Sequence, residues 1–214
     1  MTDGPSEPSA HDVAATATAP LRAALDPVDQ FRVQHYGLLA VLMAREPSAE
    51  TLALVAGLSG DATPLGRSHA ALAEAARRAD PARLEREYFD LFIGVGRGEL
   101  VPYGSYYLTG FLREKPLARL RQDLARLGIE RSRSLVELED HVGVLCETMA
   151  GLIDGRFETP EGAARDFFAR HMQPWMGRFF ADLETARSAD FYRCVGRVGR
   201  SFMTIETESQ ALVA

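Results

Sequence analysis

Asp140 and His141 stand side by side, with Glu137 one helical turn before His141 and His171 thirty residues on. A carboxylate and an imidazole are the parts of a general acid–base pair. Neighbouring residues on a helix point about 100° apart, so these two do not orient each other as a catalytic dyad does. Glu137 and His141, at i and i+4, could be joined by His171 around a metal. That is too few ligands for a site, and no His-Glu-x-x-His run is present. There is no nucleophile elbow around a Ser or Cys. Gly94-x-Gly96-x-Gly98 follows no strand and precedes no Lys-Ser/Thr pair, so it is neither a dinucleotide fingerprint nor a phosphate loop. The expectation is therefore no catalytic residues, no metal and no cofactor.

The remaining polar and aromatic signals suit binding. Leu84, Tyr88, Leu91 and Phe92 recur at helical spacing, and then Gly94, Gly96 and Gly98 end that helix. Pro102 delays the next one. Tyr103-Gly104-Ser105-Tyr106-Tyr107 follows, an aromatic cluster of the kind that lines binding surfaces when it falls in a loop. Further on, Glu137 and Asp140 supply carboxylates. An apolar groove rimmed by carboxylates suits a peptide that carries paired arginines beside an apolar stretch.

Composition narrows the class. The 214 residues carry a net charge of −6, and 46% are hydrophobic, enough for a packed core. The first sixty residues hold three arginines, Arg22, Arg32 and Arg45, against Asp3, Glu7, Asp12, Asp26, Asp29, Glu46 and Glu50. Phosphate contact needs the opposite balance, so no nucleic acid is expected. No apolar run approaches a membrane span, and the acidic N-terminus is no signal peptide. The expected location is the cytoplasm. Cys146 and Cys194 read as small core fillers.

The elements that must position these residues are helices. Asp26-Pro27, Thr63-Pro64, Asp80-Pro81 and Thr159-Pro160 each pair a capping residue with a proline, and Pro47-Ser48 caps a short helix through Leu58. No alternating Val/Ile/Thr run competes with them, which predicts an all-α fold. The first helix buries Phe31, His35, Leu38, Leu39 and Leu42, with His35 a satisfied core histidine, while His69 is read as exposed. A helix from Leu117 to Leu127 is closed by Gly128. Another from Leu135 to Ile153 turns Leu138, Val142, Leu145, Met149 and Leu152 inward and Glu137, Asp140 and Glu147 outward. Thr159 opens a long helix kinked near Arg170 by Pro174. The last runs from Ser188 to about Glu206, burying Phe191, Val195, Val198, Phe202 and Ile205. Residues 1–25 read as a disordered tail. Residues 129–134 read as a hinge between lobes of about 26–129 and 135–206, a site for domain swapping.

Three stretches resemble the motifs of the TorD/DmsD family of molybdoenzyme-maturation chaperones. Glu87, Tyr88, Leu91, Phe92, Gly94, Gly96, Pro102, Ser105 and Tyr106 or Tyr107 match the first, with Val95 and Gly104 as departures. Glu137, Asp140, His141 and Met149 match the second, with Leu138 where relatives have proline. Phe167, His171 and Trp175 match the third. The resemblance implies a helical bundle and a monomer or swapped dimer. It also implies a chaperone, not an enzyme, that binds a molybdenum oxidoreductase precursor. It would do so at the twin-arginine signal peptide and through the folded body, until the cofactor is inserted. The candidate peptide-binding residues are Tyr88, Phe92, Pro102, Tyr103, Ser105, Tyr106, Glu137, Asp140, His141, His171 and Trp175. Tyr88, Leu91, Phe92 and Trp175 read as core more readily than as contacts. The alternative class is an all-helical ligand-binding regulator or metal-binding protein.

Overall fold

Asp26 accepts hydrogen bonds from the Val28 and Asp29 amides and starts α1, Pro27–Ala44. Ser48 caps α2, Ala49–Ala56. Thr63 caps α3, Pro64–Arg78, and Asp80 caps α4, Pro81–Tyr88. These are the starts that the sequence marks, because each capping oxygen takes an amide the helix leaves unpaired. The computed structural model describes residues 25–132 and 136–213. The disordered tail read for residues 1–25 lies outside them except for Leu25.

Past α4 the helix widens into one π turn, Phe89–Ile93, and the glycine loop follows. Then come α5, Gly104–Thr109; α6, Lys115–Arg126; α7, Val142–Ile153; α8, Ala163–Phe167; a second π turn, Phe168–Met172; α9, Met176–Thr185; and α10, Phe191–Val213. Among the described residues the fold is all-α, and the one extended pairing is a bridge between Tyr103 and His141.

α1 packs along α7, and α10 packs on α9 and α3. One apolar cluster joins them, including Tyr36 and Leu42 of α1, Leu145 and Met149 of α7, Phe179 of α9 and Phe202 of α10. α10 lies close to α9 because Gly196 is there. A Cβ on Gly196 would stand 2.5 Å from the Glu184 amide nitrogen. Across the α1–α10 contact, Arg32 donates to both oxygens of the buried Glu206, at 2.9 and 3.0 Å, and the Tyr36 hydroxyl donates to it at 2.7 Å. The start of α10 is held from far away in sequence. Glu87 accepts from the amides of Asp190, Phe191 and Tyr192, and Glu99 accepts from those of Arg187 and Ser188.

Several expectations are corrected. The helix expected from Leu135 begins at Val142. Residues 140–142 give their backbone bonds to residues 102–104 instead of to a helical ladder. Asp140 is accordingly not on a solvated helix face; it is buried at 3% exposure. The aromatic loop is in part a helix, α5. Thr159 does not cap the next helix, which starts after Gly162, where φ is 81°. That helix does not run through a kink. The chain turns at Gln173–Trp175, because Pro174 has no amide to donate, and restarts as α9. α10 begins at Phe191, since Glu87 takes the amides there, and it continues past Glu206. Phe31 and Ile205 are partly exposed, at 37% and 40%, whereas Glu206 is buried. His69 is half-buried rather than exposed, its Nε2 lying 3.0 Å from Nε2 of His35. The His35 Nδ1–H donates to the Phe31 carbonyl at 2.7 Å, so His69 is the donor in the pair and both rings are neutral. Burial lowers both histidine pKa values.

Candidate functional site

Two segments cross and bond at their backbones. The Gly104 amide donates to the Asp140 carbonyl and the Val142 amide donates to the Pro102 carbonyl, both at 2.9 Å. This crossing brings Pro102, Tyr103 and Ser105 against Glu137, Asp140 and His141. Asp140 Oδ2 accepts from the Ser105 amide at 2.7 Å, at the start of α5. The His141 Nδ1 accepts from the Gly143 amide at 3.1 Å, so His141 caps α7 with its ring. Tyr103 lies edge-on to that ring, 5.1 Å between centroids, and its hydroxyl donates to Glu137.

Two buried polar atoms here, Asp140 Oδ1 and Ser105 Oγ, have no hydrogen-bond partner among the described residues. Asp140 lies in the wall of a cavity of about 370 Å³ with Gly104, Leu108, Leu120 and Trp175. The Trp175 indole N–H donates to the His171 carbonyl at 2.7 Å. Its ring lies under Gly104, where a Cβ would come 3.1 Å from Nε1. Gly104 thus lets the Ser105 turn settle on the indole.

Burial keeps His141 neutral, lowering its pKa to about 4 against the pull of Glu137 and Asp140. Burial and the Glu137 hydrogen bond raise the Tyr103 hydroxyl well above its usual range, and burial with the charges of Glu137 and Glu46 raises Tyr88 to about 12. Burial also pushes Asp123 upward, but the His171 hydrogen bond and the Arg170 charge outweigh it and hold the carboxylate low. His171 Nε2 lies 2.9 Å from Asp123, and Arg170 donates to the same carboxylate at 3.1 Å. Glu139 is held low in the same way by Arg121, at 2.8 Å. None of these groups forms a nucleophile–base pair. Among the described residues no three His, Cys, Asp or Glu side chains are arranged to hold a metal.

The structure gathers Pro102, Tyr103, Ser105, Glu137, Asp140 and His141, with His171 and Trp175 on the cavity wall. It does not gather all the candidates. Phe92 packs on Tyr88 and Tyr192. Tyr106 stacks under Arg97, 5.9 Å from the guanidinium carbon to the ring centroid. Trp175 is core, at 1% exposure. Of the carboxylates near the cavity, Glu137 bonds Tyr103, Glu139 bonds Arg121 and Asp123 bonds three partners, which leaves Asp140 with an unmet oxygen. Sequence reading overlooked Arg119, Arg126 and Arg170. The first two, with Lys115 and Gln122, follow one another at steps of three and four along α6, a spacing that marks one polar face.

This geometry can be set beside known proteins. Residues 59–181 match the family described as nitrate reductase delta subunit. The chain belongs to this family. The delta-subunit family match agrees with the TorD/DmsD resemblance of the three motifs. A chaperone protein TorD from Vibrio cholerae is 27% identical over 175 residues, covering 75% of this chain and 79% of the relative. A TorD from Shewanella pealeana is 25% identical, covering 86% and 91%. A putative redox enzyme maturation protein from Archaeoglobus fulgidus has the same fold, with a TM-score of 0.55 and 20% identity over 80% of this chain and 93% of that one. Within the delta-subunit fold seen here, the Glu87-Tyr88 motif is architectural, since Glu87 caps α10. In the Asp140-His141 motif, Asp140 lines the cavity and His141 caps α7. Among the described residues no helix is long and apolar enough to cross a membrane.

Proposed function

We propose that this chain is a cytoplasmic chaperone for a molybdenum oxidoreductase precursor, and that it holds the precursor's twin-arginine signal peptide in the cavity beside Asp140 until the cofactor has been inserted. The TorD relatives support the chaperone role. The observation that carries the site is the buried, unpartnered acceptor Asp140 Oδ1 in the wall of a cavity, beside the unpartnered hydroxyl of Ser105. An unmet buried acceptor costs about 1–3 kcal/mol, and a guanidinium supplies several donors in a plane. An arginine reaching Asp140 relieves that cost and gains a charge-assisted bond.

Calorimetry with synthetic twin-arginine signal peptides of molybdoenzyme precursors tests the reading. Binding should be salt-sensitive. Asp140→Asn keeps an acceptor for the Ser105 amide and removes the charge, so affinity should fall about tenfold, or ~1.4 kcal/mol. Its melting temperature should fall less than that of Asp140→Ala, which also loses the Ser105 bond. No binding by the wild type, or equal binding by Asp140→Asn, rejects the site.

A further inference from the structure

The cavity beside Asp140 does not end at His171. A second cavity, of about 180 Å³, shares Asp123, Arg126, Arg170 and His171 with it and continues past Leu127 and Pro160 to Phe167. Together they form one groove along α6, apolar at each end. The stretch between is cationic. Arg119 lines the first cavity, Arg126 and Arg170 line both, and Asp123 is the carboxylate set among them. Asp123 neutralises one positive charge, through Arg126 and Arg170 at 3.1 Å. Asp166, 3.6 Å from Arg170, and Glu161 face only the far cavity, so the positive charge lies in the near one. Arg119 is exposed and has no ion-pair partner among the described residues. In a chain of net charge −6, the near cavity sets Arg119, Arg126 and Arg170 against Asp123 and Asp140, and so retains positive charge directly beside the unmet acceptor.

A ligand that follows this groove therefore meets opposite demands at two points. It meets an acceptor needing a donor at Asp140, and unpaired donors at Arg119 about one helical turn before Asp123. We propose that the groove takes an extended client segment that carries a carboxylate side chain as well as its donor group. The donor lies at Asp140, the carboxylate lies between Arg119 and Arg170, and apolar residues fill the ends at Leu108 and Phe167. This rests on the client-binding reading above and adds a second element of selection to it. A segment with basic residues alone leaves Arg119 unpaired and sets like charges against Arg126 and Arg170. A mixed segment matches both points, and the spacing between its charges sets the register.

An array of overlapping 15-residue peptides from molybdoenzyme precursors, each made also with Asp and Glu replaced by Asn and Gln, tests this against the full chain. The strongest binders should contain a carboxylate, and amide replacement should weaken them about five- to tenfold. Arg119→Gln, at an exposed position that leaves the Asp123 cluster intact, should bind the acidic peptides as weakly as the wild type binds their amide forms. It should show no further loss on amide replacement. If peptides bind but amide replacement changes nothing, or Arg119→Gln keeps the full preference, the inference is wrong and the client-binding reading stands. If no peptide binds, both fall.

Discussion

Glu87 and Asp140 show how one residue type serves two ends. Glu87, partly buried, has its pKa raised by burial although three backbone amides oppose the shift. Its carboxylate replaces the missing turn ahead of α10. Glu87→Ala leaves the amides of Asp190, Phe191 and Tyr192 without that acceptor, and stability should fall by about 2–3 kcal/mol. Urea unfolding measures this, and Glu87→Gln, which keeps one acceptor oxygen, should recover part of the loss. Peptide affinity at 15 °C below the melting point should be unchanged in both. In sequence, Glu87 and Asp140 look alike, each beside an aromatic ring-bearing residue in a family motif. What separates them is the neighbour across the fold: the start of a helix for one, a cavity for the other. That neighbour lies 103 positions away for Glu87 and 35 for Asp140, and is visible only once the chain is folded.

At the scale of elements, local chemistry was legible and long-range competition was not. Asp26, Ser48, Thr63 and Asp80 cap helices because the partner amide lies two or three residues on. The apolar spacing of Val142, Leu145, Met149 and Leu152 marked the buried face of α7 correctly. The same spacing extended back to Leu138, but residues 140–142 pair with residues 102–104, and periodicity holds no record of that bond. The core reading of Trp175 held, but its contact with Gly104 was not legible, since only the packed turn shows that the indole is a floor under Gly104. α10 against α9 gives the sharpest test of packing. Gly196→Ala places a methyl 2.5 Å from the Glu184 amide nitrogen and 2.9 Å from the Phe180 carbonyl oxygen, both backbone atoms that yield little. It should cost about 2–3 kcal/mol, read as a lower midpoint of urea unfolding. Gly177→Ala, with open space around its Cβ in α9, should be neutral or slightly stabilising.

Across the whole molecule, the histidines give stability a direction with pH. His35, His69, His141 and His171 all have pKa values lowered chiefly by burial. The unfolded chain then binds more protons than the folded one below about pH 6.5, so stability rises with pH through that window and is lost on acidification. His141, at about 4, carries the widest window. Between pH 7 and pH 5 it alone should remove about 2 kcal/mol, at ~1.4 kcal/mol per unit. Urea midpoints at the two values check this, and His141→Gln should flatten the difference while weakening the cap on α7. The bonds between 102–104 and 140–142 have a different consequence. They tie the chain to itself at the two ends of the segment that holds α5 and α6, an excursion that departs and returns at one point and rests on the core through Leu117 and Leu120. Its closure entropy is met by the knot at its base, and grows only slowly with the length beyond it. The excursion should therefore open as one cooperative unit while α1, α7 and α10 stay closed. In native-state amide exchange, α5 and α6 should share a single opening free energy below that of the core helices. Residues inserted at the exposed Gly110–Leu112 turn should lengthen the segment at little cost, because its register is held on either side of the insertion, at the neck and by the packing of Leu117 and Leu120.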